Sequence, residues 1–202
     1  MDAKDFFNQF YKKAQVLSFE KSLLSFFNDN VFGRMPEKEL NILDLGGGFY
    51  SLFEEIHNLK GYVTSIDFSA EAINRAPESK INYLEMNILD SDFFKAEQFD
   101  LIFDSHCLNC ITDQAERDIS FKNIYSALSA DGIFATELMI QPSIDPVMMP
   151  FKCIKTAMDL ELEILSHGFK IMYFVISKEC GFTNVVEGEE IQCDLLRVIA
   201  RK

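Results

Sequence analysis

The chain is poor in positive charge. It carries 19 lysines and arginines against 32 aspartates and glutamates, a formal net charge of −13, and no dense Lys/Arg block. Such a balance repels phosphate backbones and anionic lipid, which sets nucleic acid and membrane surfaces aside as expected partners. No apolar run approaches the roughly 18 residues a membrane span needs. The opening "MDAKDFFNQFYKK" lacks a basic region leading into an apolar stretch and a cleavage site, so the expectation is a soluble, cytoplasmic protein. Internal repeats and low-complexity segments are absent. Cysteine is scarce and odd in number: five, at 107, 110, 153, 180 and 193, expected as thiols in a chain too large to need disulfide staples. Cys107-Leu108-Asn109-Cys110 is a C-x-x-C, but no second pair completes a structural zinc set. It also lies at a fourth strand, not beside the first strand-helix unit where a thioredoxin-like site is expected. No metal is expected, and these cysteines read as small buried or pocket-wall residues.

What remains is a chain of 202 residues, 48% of them hydrophobic, enough for one full-sized core. Short β-like runs alternate with helix-like stretches along it. Strands are expected over 41–46, 62–68, 81–88, 99–108, 132–140, 170–178 and 194–202. The first is followed by a helical pattern with Leu52, Phe53, Ile56 and Leu59 on one face, closed by Gly61. Ser69 is a candidate N-cap for a short helix that Pro77 ends. Asp113 with Glu116 resembles a capping box, opening a helix with Phe121, Ile124, Tyr125 and Leu128 on one face. A loop with Pro142, Pro146 and Pro150 leads to a helix bearing Met158, Leu162 and Leu165 and stopped at Gly168. Alternation with continuous apolar strands predicts a parallel sheet covered on both faces. No helix fits between the last two strands, so they should be antiparallel. The fold class is therefore α/β: one domain, a mostly parallel seven-stranded sheet with helices on both faces and an antiparallel C-terminal strand. Residues 1–35, rich in Phe, form a helical prefix or lid, and 36–202 the α/β domain.

The segment "NILDLGGGFY" raises the question of function. Gly46, Gly47 and Gly48 follow the first strand, where an open α/β sheet places its ligand crevice. A glycine turn there lets backbone approach a ligand, because no Cβ intervenes and positive φ costs little. Asp44 ends that strand and Asp67 the second, where an acid accepts hydrogen bonds from both hydroxyls of a ribose. A dinucleotide would bring a pyrophosphate, which wants helix N–H groups and no carboxylate nearby. Asp44 opposes that reading, and an anion beside the glycines suits a nucleoside with a cationic ammonium or sulfonium, as S-adenosyl-L-methionine has.

In these motifs residues 40–202 resemble the class I S-adenosylmethionine-dependent methyltransferase family. "LDLGGGFY" is similar to its first motif, an acid followed by G-x-G-x-G, with Asp44, Gly46 and Gly48 matching and Tyr50 in place of the last glycine. "SIDFS" matches the ribose acid at Asp67, with Phe68 flanking adenine. In "YLEMNIL" the family's adenine-binding Asp is replaced by Asn87, which still offers a carbonyl acceptor, and Ile88 follows. "FDLIFDSHCLNCI" is similar to the fourth motif, which implies Asp104 and Ser105 near the methionine end and His106 and Asn109 near the methyl acceptor.

Methyl transfer from a sulfonium is a displacement that depends mainly on holding the nucleophile in line. A base is needed only where the acceptor starts protonated. His106, one of three histidines, is a candidate, since histidine is the side-chain type suited to proton removal near neutrality; His57 and His167 lie in or at the end of helices. Glu137 is a carboxylate inside an apolar run, so it faces the crevice as base or cation selector, or it pairs. The loop with Met148 and Met149 and the Phe-rich prefix are candidate lid segments over a small substrate. The expected activity is methyl transfer to a small-molecule or short-peptide acceptor by a monomer or homodimer. The alternatives are a regulatory protein that binds the cofactor without turning it over, for which Tyr50 is the one hint, and an NAD(P)-dependent oxidoreductase.

Overall fold

The computed structural model describes residues 2–15, 21–141, 152–183 and 190–202, with the backbone alone for 178–183 and 190–192. Phe19 and the candidate lid residues Met148 and Met149 lie outside the described residues. Seven strands form one sheet in the order β3-β2-β1-β4-β5-β7-β6: β1 Leu40–Leu45, β2 Gly61–Asp67, β3 Asn82–Glu85, β4 Phe99–Ser105, β5 Leu128–Ile140, β6 Lys170–Thr183 and β7 Glu190–Arg201. β1 to β5 are mutually parallel, while β7 runs antiparallel between β5 and β6, as the missing crossover helix requires. Strand order reverses between β1 and β4, which opens a crevice at their carboxyl ends.

The continuous apolar strands are explained by two-sided burial. Successive residues take opposite faces: Leu43, Leu45, Ile102, Phe134, Leu196 and Val198 join one cluster with Phe94, Phe121, Ile124, Leu160 and Ile164 of the covering helices. Ile42, Leu101, Phe103, Ile133 and Ile199 join the other. The first face is covered by α4 (Ser91–Ala96), α5 (Gln114–Ala127) and α6 (Ala157–Ser166). The second is covered by the N-terminal prefix after α1 (Ala3–Lys13): α2 (Lys21–Phe26) and the π-helical turn Phe27–Val31. These bury Leu23, Phe26, Phe27 and Val31, with Phe27 edge-on to Phe53 at 5.2 Å and to Phe103 at 5.7 Å.

That cover explains the main departure from the sequence pattern. Between β1 and β2 the expected helix is reduced to one 3₁₀ turn, Leu52–Glu54. Leu52 and Phe53 are buried, and Phe27 packs edge-on against both Phe53 and Phe103, covering the sheet face that further turns would need. Tyr83 also pins the turn, its hydroxyl accepting from Ser51 N at 3.0 Å and donating to Glu54 at 2.9 Å. Gly61 caps nothing and opens β2 at φ 144°, where a Cβ would stand 2.1 Å from the Leu40 carbonyl oxygen.

The caps read from sequence are formed. Ser69 accepts from Ala72 N at the start of α3 (Ala70–Arg75), and Asp113 from Glu116 N at the start of α5. α4, capped by Asp90, is an element the sequence pattern missed. α6 forms with the opposite face inward: Leu160, Glu163 and Ile164 are buried, whereas Met158, Leu162 and Leu165 are 66%, 60% and 45% exposed. The cause is a buried ion pair. Arg117 donates to both oxygens of Glu163 at 2.8 and 2.6 Å, and Lys155 adds a third contact at 2.8 Å.

Candidate active site

The site is built from the carboxyl ends of β1, β2 and β4 and the turns that follow. Gly46 and Gly48 adopt φ of 63° and 62°, a region that penalises any residue with a Cβ. Each glycine of the bend also has a close neighbour. A Cβ at 46 would lie 2.7 Å from the Cys107 Cβ, one at 47 would lie 2.1 Å from Ser65 Oγ and 2.3 Å from Asp44 Oδ2, and one at 48 would lie 3.0 Å from the Tyr11 hydroxyl. Gly47 N donates to the Ile66 carbonyl and Gly48 N to Asp67 Oδ2, which ties the bend to β2.

Asp44 is buried under this bend and accepts from Ser51 Oγ at 2.6 Å and Ser65 Oγ at 3.1 Å. Burial pushes its carboxyl up to about 7; the two hydroxyls oppose this, and Asp104 and Asp67 add to it. Asp67 is raised too, chiefly by burial, against hydrogen bonds from Ser69 N, the Tyr11 hydroxyl and Gly48 N. Asp104, fully buried, is raised for the same first reason, with its oxygens bonded to Thr136 Oγ1 at 2.6 Å and Leu108 N at 3.1 Å. Three buried carboxyls thus lie near one another at the ends of β1, β2 and β4, and among the described residues no lysine or arginine pairs with any of them.

A cavity of about 460 Å³ lies between the glycine bend and α1, lined by Phe10, Tyr11, Ala14, Asp44, Gly46, Gly47, Gly48, Phe49, Tyr50 and Ser105 among others. That volume lies within the range of small-ligand sites, about 300–1,000 Å³. Phe68 is half-buried and packs against Phe7 with ring centroids 5.6 Å apart. Ile88 is buried, and the Asn87 side-chain carbonyl accepts from Leu89 N at 3.0 Å, so it supports a turn at the end of β3.

At the end of β4, His106 has φ 68°, the one described non-glycine residue in the left-handed region. Such strain costs about 1–3 kcal/mol and clusters at functional sites. Its Nε2 lies 3.2 Å from Glu137 Oε1, and Glu137 Oε2 accepts from Arg197 Nε at 2.7 Å. Burial works against the Glu137 anion, but His106 and Arg197 together hold it below the ordinary carboxylate range. His106 Nδ1 is buried without a hydrogen-bond partner among the described residues. Asn109 is turned inward, bridging Met139 and Cys153 backbone groups. Cys107 packs on Gly46, and Cys110 Sγ lies 3.2 Å from Lys152 Nζ.

The structure therefore gathers Asp44, the three glycines, Tyr50 and Ser105 around one cavity, sets Asp67 and Phe68 beneath α1, and pairs His106 with Glu137. Tyr11, Ser51, Ser65, Thr136 and Arg197 are participants the sequence reasoning missed. Ser65, two residues before Asp67 on the same strand face, carried a readable signal; Tyr11 and Arg197 are joined to the site only by the fold.

The residues fit S-adenosyl-L-methionine. Acidic side chains lie beside the bend, the bend offers a Cβ-free face, and Asp67 is a carboxylate at the end of β2, the kind of group a ribose diol engages. Fold and site define a Rossmann-like architecture of class I methyltransferase type. Residues 43–136 match the family model described as a methyltransferase domain. The S-adenosylmethionine-dependent methyltransferase from Anabaena variabilis is similar in structure, with TM-score 0.75 and 16% identity, covering 100% of this chain and 95% of that one. That from Clostridium acetobutylicum has TM-score 0.68 and 16% identity, covering 99% of both chains. The [4+2]-cyclase SpnF is also similar, with TM-score 0.65 and 13% identity, covering 86% of this chain and 79% of that one. No curated protein matches the chain in sequence. Residues 43–136 thus match a methyltransferase domain, the whole chain has the class I methyltransferase fold, and the cofactor that goes with this domain is S-adenosyl-L-methionine.

Proposed function

We propose that the protein transfers a methyl group to a small molecule or short peptide whose nucleophile, a hydroxyl or an ammonium, must lose a proton on reaction. When bound, the cofactor supplies a methyl group on a sulfonium, open to direct displacement. Asp44 compensates positive charge beside the glycine bend, and Asp67 orients the ribose through its carboxylate. Ser105 and Tyr50 line the wall between bend and acceptor.

One observation carries the acceptor half of this reading: the Nδ1 of His106 is buried without a partner among the described residues while Nε2 faces Glu137. With the ring proton on Nε2 and directed at the Glu137 carboxylate, Nδ1 keeps a lone pair for the acceptor's proton. Glu137, both oxygens engaged, is a positioning residue: it fixes the ring's tautomer and stabilises the imidazolium that results, and Arg197 keeps it ionised. A net charge of −13 supports small acceptors over nucleic acid.

The test is a panel of amines, hydroxyl compounds and thiols incubated with methyl-labelled S-adenosylmethionine. Transfer to an amine or hydroxyl compound, lost by about 10²–10⁴-fold in His106→Gln with cofactor affinity retained, is the expected result. Equal turnover by His106→Gln removes the base. A second reading, cofactor binding without methyl transfer, is favoured by one observation: SpnF, described as a cyclase, shares this fold. Tight cofactor binding with no transfer across the panel would select it.

A further inference from the structure

The carboxylate assigned to the ribose already has occupants. Ser69 N donates to Asp67 Oδ1 at 2.8 Å, Gly48 N to Oδ2 at 3.2 Å, and the Tyr11 hydroxyl to Oδ2 at 3.1 Å. An ionised carboxylate offers about four lone-pair sites, so a diol needs one or two that these donors leave free. The two backbone donors are fixed by the bend and by the start of α3. Tyr11 alone sits on a separate element.

That element, α1, is docked almost wholly on cofactor-binding segments. Asn8 Oδ1 accepts from Ser69 Oγ at 2.6 Å, Arg75 Nη2 donates to the Ala14 carbonyl at 2.8 Å, and Lys4 pairs with Glu85 at 2.8 Å at the end of β3. Phe7 covers Phe68, and Tyr11 lies edge-on to Phe49 at 6.0 Å. No residue of α1 belongs to the fully buried core. The helix is held by a few polar contacts and partly buried rings, the low-stability end of the range of local structure.

We infer that α1 is an internal competitor for the cofactor: in the free protein Tyr11 takes the seat of a ribose hydroxyl on Asp67, and nucleoside binding expels it and loosens α1. The inference rests on the cofactor reading above. Its logic is a population shift, in which apparent affinity is reduced by the fraction of molecules whose site is closed. The seated form also keeps the carboxylate satisfied and shuts the ribose subsite while no cofactor is present, since a buried acceptor left unmatched is costly.

The experiment is calorimetric titration of S-adenosylhomocysteine into the wild type, Tyr11→Phe and Asn8→Ala, with hydrogen exchange of the amides of residues 3–13 followed with and without it. Tyr11→Phe should bind about tenfold more tightly, because the competing hydroxyl is gone while ring packing stays. Asn8→Ala, which weakens docking without touching Asp67, should also tighten binding, and exchange across α1 should speed up on saturation. Unchanged or weaker binding by Tyr11→Phe, or α1 amides that become more protected with ligand, overturns the competitor. Failure of all three proteins to bind S-adenosylhomocysteine is a different result, and it overturns the cofactor reading itself.

Discussion

Removing the charge of Asp44 by the substitution Asp44→Asn tests whether the crevice is built for a cation. In the folded protein the carboxyl is raised from 3.8 to about 7, mainly by burial. A group whose pKa is raised on folding lends stability that is complete below its unfolded pKa and is lost as pH rises through the folded one. The window is thus about pH 4 to 7. A shift of about three units at 1.36 kcal/mol each caps the effect near 4 kcal/mol; integrated between pH 5 and pH 8, the loss is about 2–3 kcal/mol. For a chain of this size that is about 5–10 °C in Tm, at about 2–4 °C per kcal/mol. The amide introduced by Asp44→Asn keeps a carbonyl for the Ser51 and Ser65 hydroxyls but cannot ionise. Thermal unfolding without cofactor from pH 5 to 8 should therefore show the wild type losing ground to Asp44→Asn by that amount. The variant should at the same time lose S-adenosylmethionine affinity, because the anion that welcomes positive charge is gone. Parallel Tm–pH curves for the two proteins would refute the reasoning.

Two further outcomes follow from packing and charge. Gly47→Ala should cost about 1–3 kcal/mol, read as a lower denaturation midpoint, because the new Cβ meets Ser65 and Asp44 at 2.1 and 2.3 Å and neither is the free end of a flexible chain. Glu163→Ala leaves Arg117 buried and uncompensated and should cost about 3–5 kcal/mol in denaturant unfolding. Burial opposes the Glu163 anion, but Arg117 and Lys155 push its carboxyl down from 4.5 to about 2. The pair's contribution should therefore persist above pH 4.5 and fade as pH drops towards 2, which acid titration of stability will show.

The sheet was readable because its signals are local. Apolar strands, turn residues and caps at Ser69 and Asp113 need only neighbours along the chain, and the antiparallel end followed from the missing helix between the last two strands. The region after β1 departs from its helical pattern because the face it would cover is packed by Phe27, which belongs to a separate element of the prefix. α6 carries apolar residues on two faces, and the pattern chose the wrong one; a glutamate drawn inward by Arg117 settles the matter in three dimensions. The same division holds at the site. Asp44, the glycine bend and Asp67 stand where strand ends must put them, whereas Tyr11 reaches Asp67 across 56 positions and Arg197 reaches Glu137 across 60. Glu137 showed itself as a charge in an apolar strand, but its partners did not.

The most direct measurement is a pair of calorimetric titrations of the wild-type protein, one with S-adenosylhomocysteine and one with NADH, at about pH 8 where Asp44 is mostly ionised. Saturable one-to-one binding of the first and none of the second is the predicted result. Binding of NADH, or no binding of S-adenosylhomocysteine, would contradict the account.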